Sequence, residues 1–468
     1  MRLSSREMLS IAHTEVRKRH LLKGKKITGV STDSRTLSKG DVFVALRGEN
    51  FDGHKFLDEV YAKGAAAVIV EKSADLPERD VPMLVVENTT HALGELAAVY
   101  RSRHKIPVLA ISGSNGKTTT KEMVAAVLDS DYDVLKTESN FNNHIGVPQT
   151  LFRLQKKHDV AVVEIGTNHP GEIAYLCAIA KPTHGLVTNI GREHLEFFST
   201  PEGVAEEETQ LYRYLDGRKK TRVFVNADDR AIATRARKMK HTIRYGFASR
   251  SSDVRGTLHG TDEMGCARFS FRFGKQKKQT TVELSIPGEH QALNALAAVA
   301  VGRAFKVSPK KIRKALEAFR PMGKRMEMFN LGGVLIYNDA YNANPDSMIA
   351  ALNTLSASRV PGKRIAVLGD MRELGAVSAD EHKRVGATLR GLRIDYLLTL
   401  GADTKLMHAE AGIAFSVHYD QKNILAEYLA ELIAPGDAVL VKGSRGMKME
   451  DVVTFLEARL RSAVVPFG

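Results

Sequence analysis

One stretch, residues 108–120 with sequence VLAISGSNGKTTT, constrains this chain more than any other. It runs from an apolar segment, 108–111, into a turn carrying Gly113 and Gly116. Lys117 and three threonines follow, and a helical pattern takes over near Lys121. A strand, a glycine turn and a helix start in immediate succession suit phosphate binding. Glycines let successive backbone N–H groups point inward, and the positive end of the following helix faces the same space. Lys117 adds a point charge for β- and γ-phosphates, and the Thr118 hydroxyl suits Mg2+. Gly113, Ser114, Asn115, Gly116, Lys117, Thr118 and Thr119 are therefore the expected nucleotide loop. The usual loop has a glycine five residues before its Gly-Lys pair, where this chain has Ile111, so the loop is a shortened form. An ordinary strand-to-helix turn is the alternative that the surrounding sequence has to displace.

At 468 residues the chain is too long for one core and divides into about three domains. Its 43% hydrophobic and 26% charged residues are ordinary for a globular protein. The two cysteines, Cys177 and Cys266, have neither metal-site nor disulfide spacing, which fits a reducing cytoplasm. The first twenty residues carry charge too densely for a signal peptide, and no apolar run approaches a membrane span. A cytoplasmic protein with no membrane partner is expected. The formal charge of +14 invites a nucleic-acid reading, yet the lysines and arginines are dispersed. Small anionic substrates account for the charge as well, and no nucleic-acid partner is expected.

The first hundred residues read as a small α/β unit, with strands at 41–46, 66–70 and 83–86 and helices at 56–63 and 91–103. Two polar clusters interrupt it, 31–35 and 47–54. The middle of the chain alternates strands and helices, the pattern of a mostly parallel sheet with covered faces. Strand 159–165 carries Glu164 at its end, and strand 183–190 leads to His194. Ligands of such sheets sit beyond the carboxyl ends of the strands, so Glu164 and His194 share a rim with Lys117 and are candidate Mg2+ partners of a bound nucleotide. A helix at 202–215 carries Glu206, Glu207 and Glu208 on what reads as a solvated face. Strands follow at 222–226 and 242–245, then antiparallel strands across 256–286. Helix 291–305 is apolar except for Asn294 in its first turn. In the last third, strands at 334–338, 364–368, 396–400 and 438–441 and helices at 380–390 and 424–432 form a doubly wound pattern. Its strand ends again carry polar groups, among them Asp339 and residues 442–445. The expected architecture is α/β in three units: 1–105, small; 106–322, a P-loop-type mostly parallel sheet; and 323–468, Rossmann-like.

Taken together, these segments resemble the Mur ligases, the ATP-dependent amide-forming enzymes of peptidoglycan synthesis. The resemblance rests on SGSNGKTTTKEM, FNNHIGVPQTL, VVEIGTNHPGEI, PGEHQALNALAA, GKRMEM, NDAYNANPDSM, GDMRELG and KGSRGMKME, which run through all three units in family order. DAYNANP, GDMRELG and KGSR are the most specific and point to the branch that adds D-Ala-D-Ala to a tripeptide. The resemblance implies that ATP phosphorylates the terminal carboxylate of UDP-MurNAc-tripeptide and that the amine of D-Ala-D-Ala attacks the acyl phosphate. It assigns the UDP group to the first unit, around Ser31, Asp33, Ser34, Arg35, Asp52 and His54. Lys117, Glu164 and His194 become catalytic, with Thr118 and Glu164 on a first Mg2+ and His194 on a second. Asn294, Arg325 and Asp339 fall near adenine, phosphates and ribose. Tyr341, Asn344, Lys442, Ser444 and Arg445 fall where the third unit closes over ATP and the dipeptide. The resemblance also favours a monomer.

One departure matters. Family members commonly carry a lysine, carbamylated to a metal ligand, at the position of Glu208; the glutamate supplies a carboxylate directly and is a candidate ligand of the second Mg2+. Another Mur ligase, a folylpolyglutamate synthase, a catalytically silent nucleotide-binding homologue and a nucleic-acid-stimulated ATPase are the rival readings.

Overall fold

The computed structural model describes residues 3–11, 14–74, 76, 80–321 and 323–462. Met322, where the second expected unit would end, lies outside them. Three main sheets organise the chain. The first has five strands in the order Glu15–Arg17, Met83–Val86, Ala67–Glu71, Val42–Val44 and Val30–Ser31, parallel except for Glu15–Arg17. Its strands are short because the run of buried β-branched residues is short in each.

The second sheet has nine strands, and its order places the nucleotide loop. The strand Val108–Ser112 lies between Val160–Glu164 and His184–Val187, parallel to both. The chain leaves Val108–Ser112, forms the outer strand Val134–Lys136, returns to Val160–Glu164 and then crosses to the other side at His184–Val187. That reversal opens a crevice at the carboxyl ends of the strands. Register fixes what stands there, since Glu164 pairs with Ile111 and Val187 with Ser112. Val108–Ser112 and Val160–Glu164 are buried throughout, covered on both faces by helices. Beyond Arg222–Asn226 and Thr242–Gly246, the sheet ends in the antiparallel strands Val254–Thr261, Cys266–Phe273 and Thr280–Pro287.

The third sheet runs Glu327–Leu331, Val334–Asp339, Ala438–Lys442, Arg364–Gly369, Tyr396–Leu400 and Phe415–Tyr419, parallel except for the first. Asp339 is in register with Lys442, so the two strand-end side chains meet. The expected α/β architecture, with a parallel central sheet and a doubly wound last sheet, is borne out.

Four local expectations are corrected. The helix after the nucleotide loop spans Lys117–Leu128, beginning at Lys117 itself rather than near Lys121. Gly116, at φ 77°, turns the chain directly into it. The helix expected over 202–215 is two, Pro201–Glu208 and Gln210–Leu215. Its acidic face is not solvated: only Glu206 is exposed, whereas Glu207 and Glu208 are buried. Glu207 accepts from the N–H groups of Gly171 and Ile173, satisfying the open start of the helix Glu172–Ala180. The strands Glu327–Leu331 and Phe415–Tyr419 complete the third sheet at its edges, where alternation in sequence is weak.

Candidate active site

The helix Lys117–Leu128 and the strand before it hold a loop closed tightly on itself. Gly113 has φ 116°, and a Cβ there would come within 2.7 Å of Thr188 N; at Gly116 a Cβ would come within 2.6 Å of Asn294 Oδ1. Neither position admits a side chain, because backbone on one side and Asn294 on the other fill the space. The Lys117 ammonium donates to the carbonyls of Gly113 and Ser114 and lies 3.4 Å from Glu193 Oε2. Burial pulls its pKa down, but Glu193, Glu208 and Glu164 together outweigh that effect and hold it above the usual lysine value. Lys117 is thus a permanently charged group inside the crevice.

Glu208 sits behind the loop. Its Oε2 accepts from Gly113 N at 2.7 Å, and its Oε1 is buried with no hydrogen-bond partner. Burial pushes its pKa up to about 8, partly opposed by Lys117 and reinforced by Glu193. Glu164 stands on the other side. Its Oε1 accepts from Thr118 Oγ1 at 3.1 Å and from Asn142 Nδ2 at 2.9 Å; Lys121 Nζ is 3.5 Å from its Oε2. That Oε2 is buried and has no hydrogen-bond partner. A threonine hydroxyl beside a carboxylate with an unused oxygen is a hard-oxygen donor set of the kind Mg2+ takes. Among the described residues no three His, Cys, Asp or Glu side chains converge as a ready-made metal cage. That is compatible with Mg2+, which uses one or two carboxylates and completes its shell with water and phosphate oxygens.

Above the loop lies a cavity of about 650 Å³ between the second and third sheets. Among the expected residues, Ser114, Asn115, Gly116, Lys117, Thr118, Thr119, Glu164, His194, Asn294, Arg325, Asp339, Tyr341, Asn344 and Lys442 line it. Asn294 makes no helix cap; its Nδ2 donates to Gln291 Oε1 at 2.8 Å, and its Oδ1 lies over Gly116. Lys442 Nζ donates to Asp339 Oδ2 at 2.6 Å and to Asn342 O at 2.9 Å. Tyr341 is flanked by two guanidinium groups, Arg325 3.7 Å and Arg445 5.6 Å from its ring centre. The pair gives the third unit a cationic wall with planar hydrogen-bonding forks.

Several expected residues do not line this cavity. Gly113 and Glu208 lie beneath the loop. Ser444 is buried, donating to Ala343 O and accepting from Arg372 N, and Arg445 pairs with Glu450 at 2.7 Å. The six first-unit residues are also outside it. There Asp33 and Arg35 form an exposed two-point pair, and Ser31 Oγ donates to Asp33 O. Ser34 Oγ donates to Glu59. Asp52 Oδ1 meets His54 Nδ1 at 2.6 Å, while His54 Nε2 accepts from Glu71 N. Asp52 and His54 therefore shape the loop as much as they offer it to a ligand.

The structure adds residues that sequence reasoning passed over. Glu193 is next to His194 in the segment that follows the strand His184–Val187, and Lys121 is one helical turn beyond Lys117; both were within reach of adjacency and of the i, i+4 rule. Asn142 and Glu373 belong to motifs that carried no assigned role. Glu373, in the third unit, has its Oε2 2.7 Å from His194 Nδ1, and the imidazole holds the Glu373 carboxyl below its usual range. The approach is short but off the direction of a straight hydrogen bond. The two units meet elsewhere too: Asn344 Nδ2 donates to Asn115 Oδ1 at 3.0 Å, and Arg192 N donates to Asp346 Oδ2 at 2.7 Å.

Comparison with known proteins bears on this arrangement. The chain matches the family "Mur ligase middle domain" over residues 111–302. It also matches "Mur ligase, glutamate ligase domain" over 324–445 and "Mur ligase family, catalytic domain" over 26–101. It is 36% identical to the UDP-N-acetylmuramoyl-tripeptide–D-alanyl-D-alanine ligase of Bacillus subtilis over 91% of this chain and 92% of that one. The crystal structure of MurF from Acinetobacter baumannii superposes with a TM-score of 0.89 at 32% identity, covering 98% of this chain and 99% of the other. MurF ligase from Thermotoga maritima in complex with ADP gives a TM-score of 0.82 at 29% identity, over 93% and 98% of the two chains.

Proposed function

This chain belongs to the Mur ligase family, and on that premise we propose that it joins D-alanyl-D-alanine to UDP-MurNAc-tripeptide at the expense of ATP. The observation that carries the proposal is the single cavity in which the nucleotide loop, Glu164 and His194 of the second unit face Arg325, Asp339 and Tyr341 of the third.

In this reading the amides of residues 116–119, at the open start of the helix Lys117–Leu128, and the Lys117 ammonium receive the β- and γ-phosphates. Asn294 lies toward adenine, Arg325 toward the phosphates and Asp339 toward the ribose. Thr118 and Glu164 would hold one Mg2+ and His194 a second, with the unpaired oxygen of Glu208 as a further candidate ligand. Bound Mg2+ would supply positive charge against the phosphate oxygens. A terminal carboxylate oxygen of the tripeptide bonds to the γ-phosphorus as the bond to the β-phosphate oxygen breaks, giving an acyl phosphate and ADP. The dipeptide amine then attacks the acyl carbon. Phosphate leaves with the C–O electron pair, the amine gives up a proton, and an amide remains. Lys117, already charged and fixed, stabilises the negative charge on the moving phosphoryl group without reorganisation.

Beside Tyr341, Arg445 suits the dipeptide carboxylate through its planar fork. Asn344, Lys442 and Ser444 hold the shape of that wall. The first unit would carry the UDP group on Ser31, Asp33, Ser34, Arg35, Asp52 and His54. Closure of the third unit over the second excludes water from the acyl phosphate.

The test is phosphate release from ATP and Mg2+, with UDP-MurNAc-tripeptide present and D-alanyl-D-alanine added or withheld, and with the product weighed by mass spectrometry. Release that depends on both substrates, with a product heavier by the dipeptide less water, is expected. Nucleotide binding with no release under any combination would leave the silent homologue as the better account.

A further inference from the structure

His194 and Glu373 come from different units, yet their side chains meet at 2.7 Å. His194 follows the strand His184–Val187 of the second sheet; Glu373 follows Arg364–Gly369 of the third. Both hold left-handed backbones, φ 49° and 64°, which a non-glycine residue adopts only where its surroundings impose it. The surroundings here are a docked joint. Glu196 N donates to Glu373 O at 3.2 Å, and Gly375 approaches the Glu196 backbone so closely that a Cβ would come within 2.9 Å of its Cα. Leu195 and Phe198 of the second unit are buried in one apolar cluster with Met371 and Leu374 of the third.

The Glu373 side chain is 49% exposed, while the His194 side chain is 14% exposed and faces the cavity. A half-exposed ion pair contributes little to stability, so this carboxylate is poorly explained as a structural prop. Its position has another consequence. The 2.7 Å contact lacks the alignment of a hydrogen bond, so the carboxylate acts on the ring through its charge: it favours a proton on Nδ1 and leaves the lone pair on Nε2, the nitrogen on the Glu193 side. Histidines that bind metals are oriented this way by a carboxylate partner, whose loss typically lowers metal affinity about 10–100-fold.

We propose that Glu373 is a positioning residue: when the third unit docks, it fixes the His194 ring so that Nε2 is presented to a divalent cation at the nucleotide phosphates. Metal binding at His194 is thereby coupled to closure, and the second cation is held well only in the docked form. This rests on the nucleotide-and-metal part of the function proposed above and not on which peptide is joined.

The probe is Mn2+ titrated into the full chain with adenylyl imidodiphosphate, free Mn2+ being read by electron paramagnetic resonance, with no sugar or peptide substrate present. Glu373→Ala is expected to weaken one bound Mn2+ by about 10-fold. His194→Ala should remove the same ion, and adding Glu373→Ala to it should change nothing further. Thermal midpoints and metal-free ADP affinity, which a merely structural role would alter, should stay as in the parent chain. Unchanged Mn2+ affinity in Glu373→Ala, an equal loss in the His194→Ala background, or no His194-dependent Mn2+ in the parent chain would each overturn the proposal. Because no peptide substrate is present, these outcomes are separable from failure of the ligase assignment, which phosphate release reads.

Discussion

At the residue scale, Lys117 shows how burial and charge set a catalytic group. Three carboxylates, Glu193, Glu208 and Glu164, act on one ammonium that lines the cavity. Lys117→Met removes the one cation on which all three act among the described residues, leaving Lys121 beside Glu164, and it also removes the charge aimed at the γ-phosphate. Phosphate release should fall at least 10²–10³-fold, the scale of losing one preorganised charge partner. Circular dichroism should show the fold retained, because the orphaned carboxylates can take up protons instead; a variant within about threefold of the parent would remove Lys117 from the mechanism. His184 makes a separate prediction about stability. Its ring lies against Phe224 and Phe305, and burial, with Arg222 nearby, pulls its pKa from 6.5 to about 4. The unfolded chain therefore binds this proton before the folded one does. The contribution of neutral His184 is complete above pH 6.5, is lost as pH falls toward 4, and is flat below that. It amounts to at most about 3 kcal/mol. His184→Gln should flatten the thermal midpoint between pH 6.5 and 4; an unaltered slope would mean that other groups set it.

At the scale of elements, the nucleotide loop was legible because its signal is local: strand, glycines, lysine and threonine are consecutive. Glu164 and His194 were legible because a parallel sheet places strand ends on one rim. The acidic segment 206–208 was not. A run of three glutamates reads as solvated when only its own helix is considered, and the break at Thr209 that turns Glu208 inward is fixed by packing against the loop. Glu207 and Glu208 cap backbone amides of distant segments, Gly171 and Ile173 for one and Gly113 for the other. Such partners have no sequence spacing. Glu208→Ala leaves the buried Gly113 N–H without its acceptor, at a cost of about 1–3 kcal/mol concentrated in the loop. The expected result is a higher Mg2+ concentration for half-maximal phosphate release. Full activity at limiting Mg2+ would show that this carboxylate neither braces the loop for metal nor binds it.

At the scale of the whole molecule, the cavity exists only because two sheets separated in sequence dock at their carboxyl ends. Asp339, Lys442 and the residues around Tyr341 were legible as strand-end polar groups. Which of them would face the nucleotide loop depended on how the units meet, and Ser444 turned inward instead. The joint is polar at its rim, where Arg192 contacts Asp346 and Glu381, and Arg384 contacts the same two carboxylates. At its centre it is steric: Gly375, at φ 54°, lies against the Glu196 backbone, with that residue's Cβ and Cγ next nearest. A methyl group there cannot be accommodated by a rotamer change, so Gly375→Ala must separate the units or shift the 370–375 segment. Phosphate release with all substrates should drop by roughly 10²-fold, as expected when catalytic groups from two bodies are misplaced by about 1 Å. Nucleotide affinity, carried mainly by the second unit's loop, should change far less, and small-angle scattering should show an expanded chain. Gly332→Ala is the matched control, since that glycine has φ 61° and nothing within 4 Å of an added Cβ. If Gly375→Ala turns over at the parent rate, the docked joint seen here is not the form in which the chemistry occurs, and the alignment of Glu373 with His194 would lose its functional meaning with it.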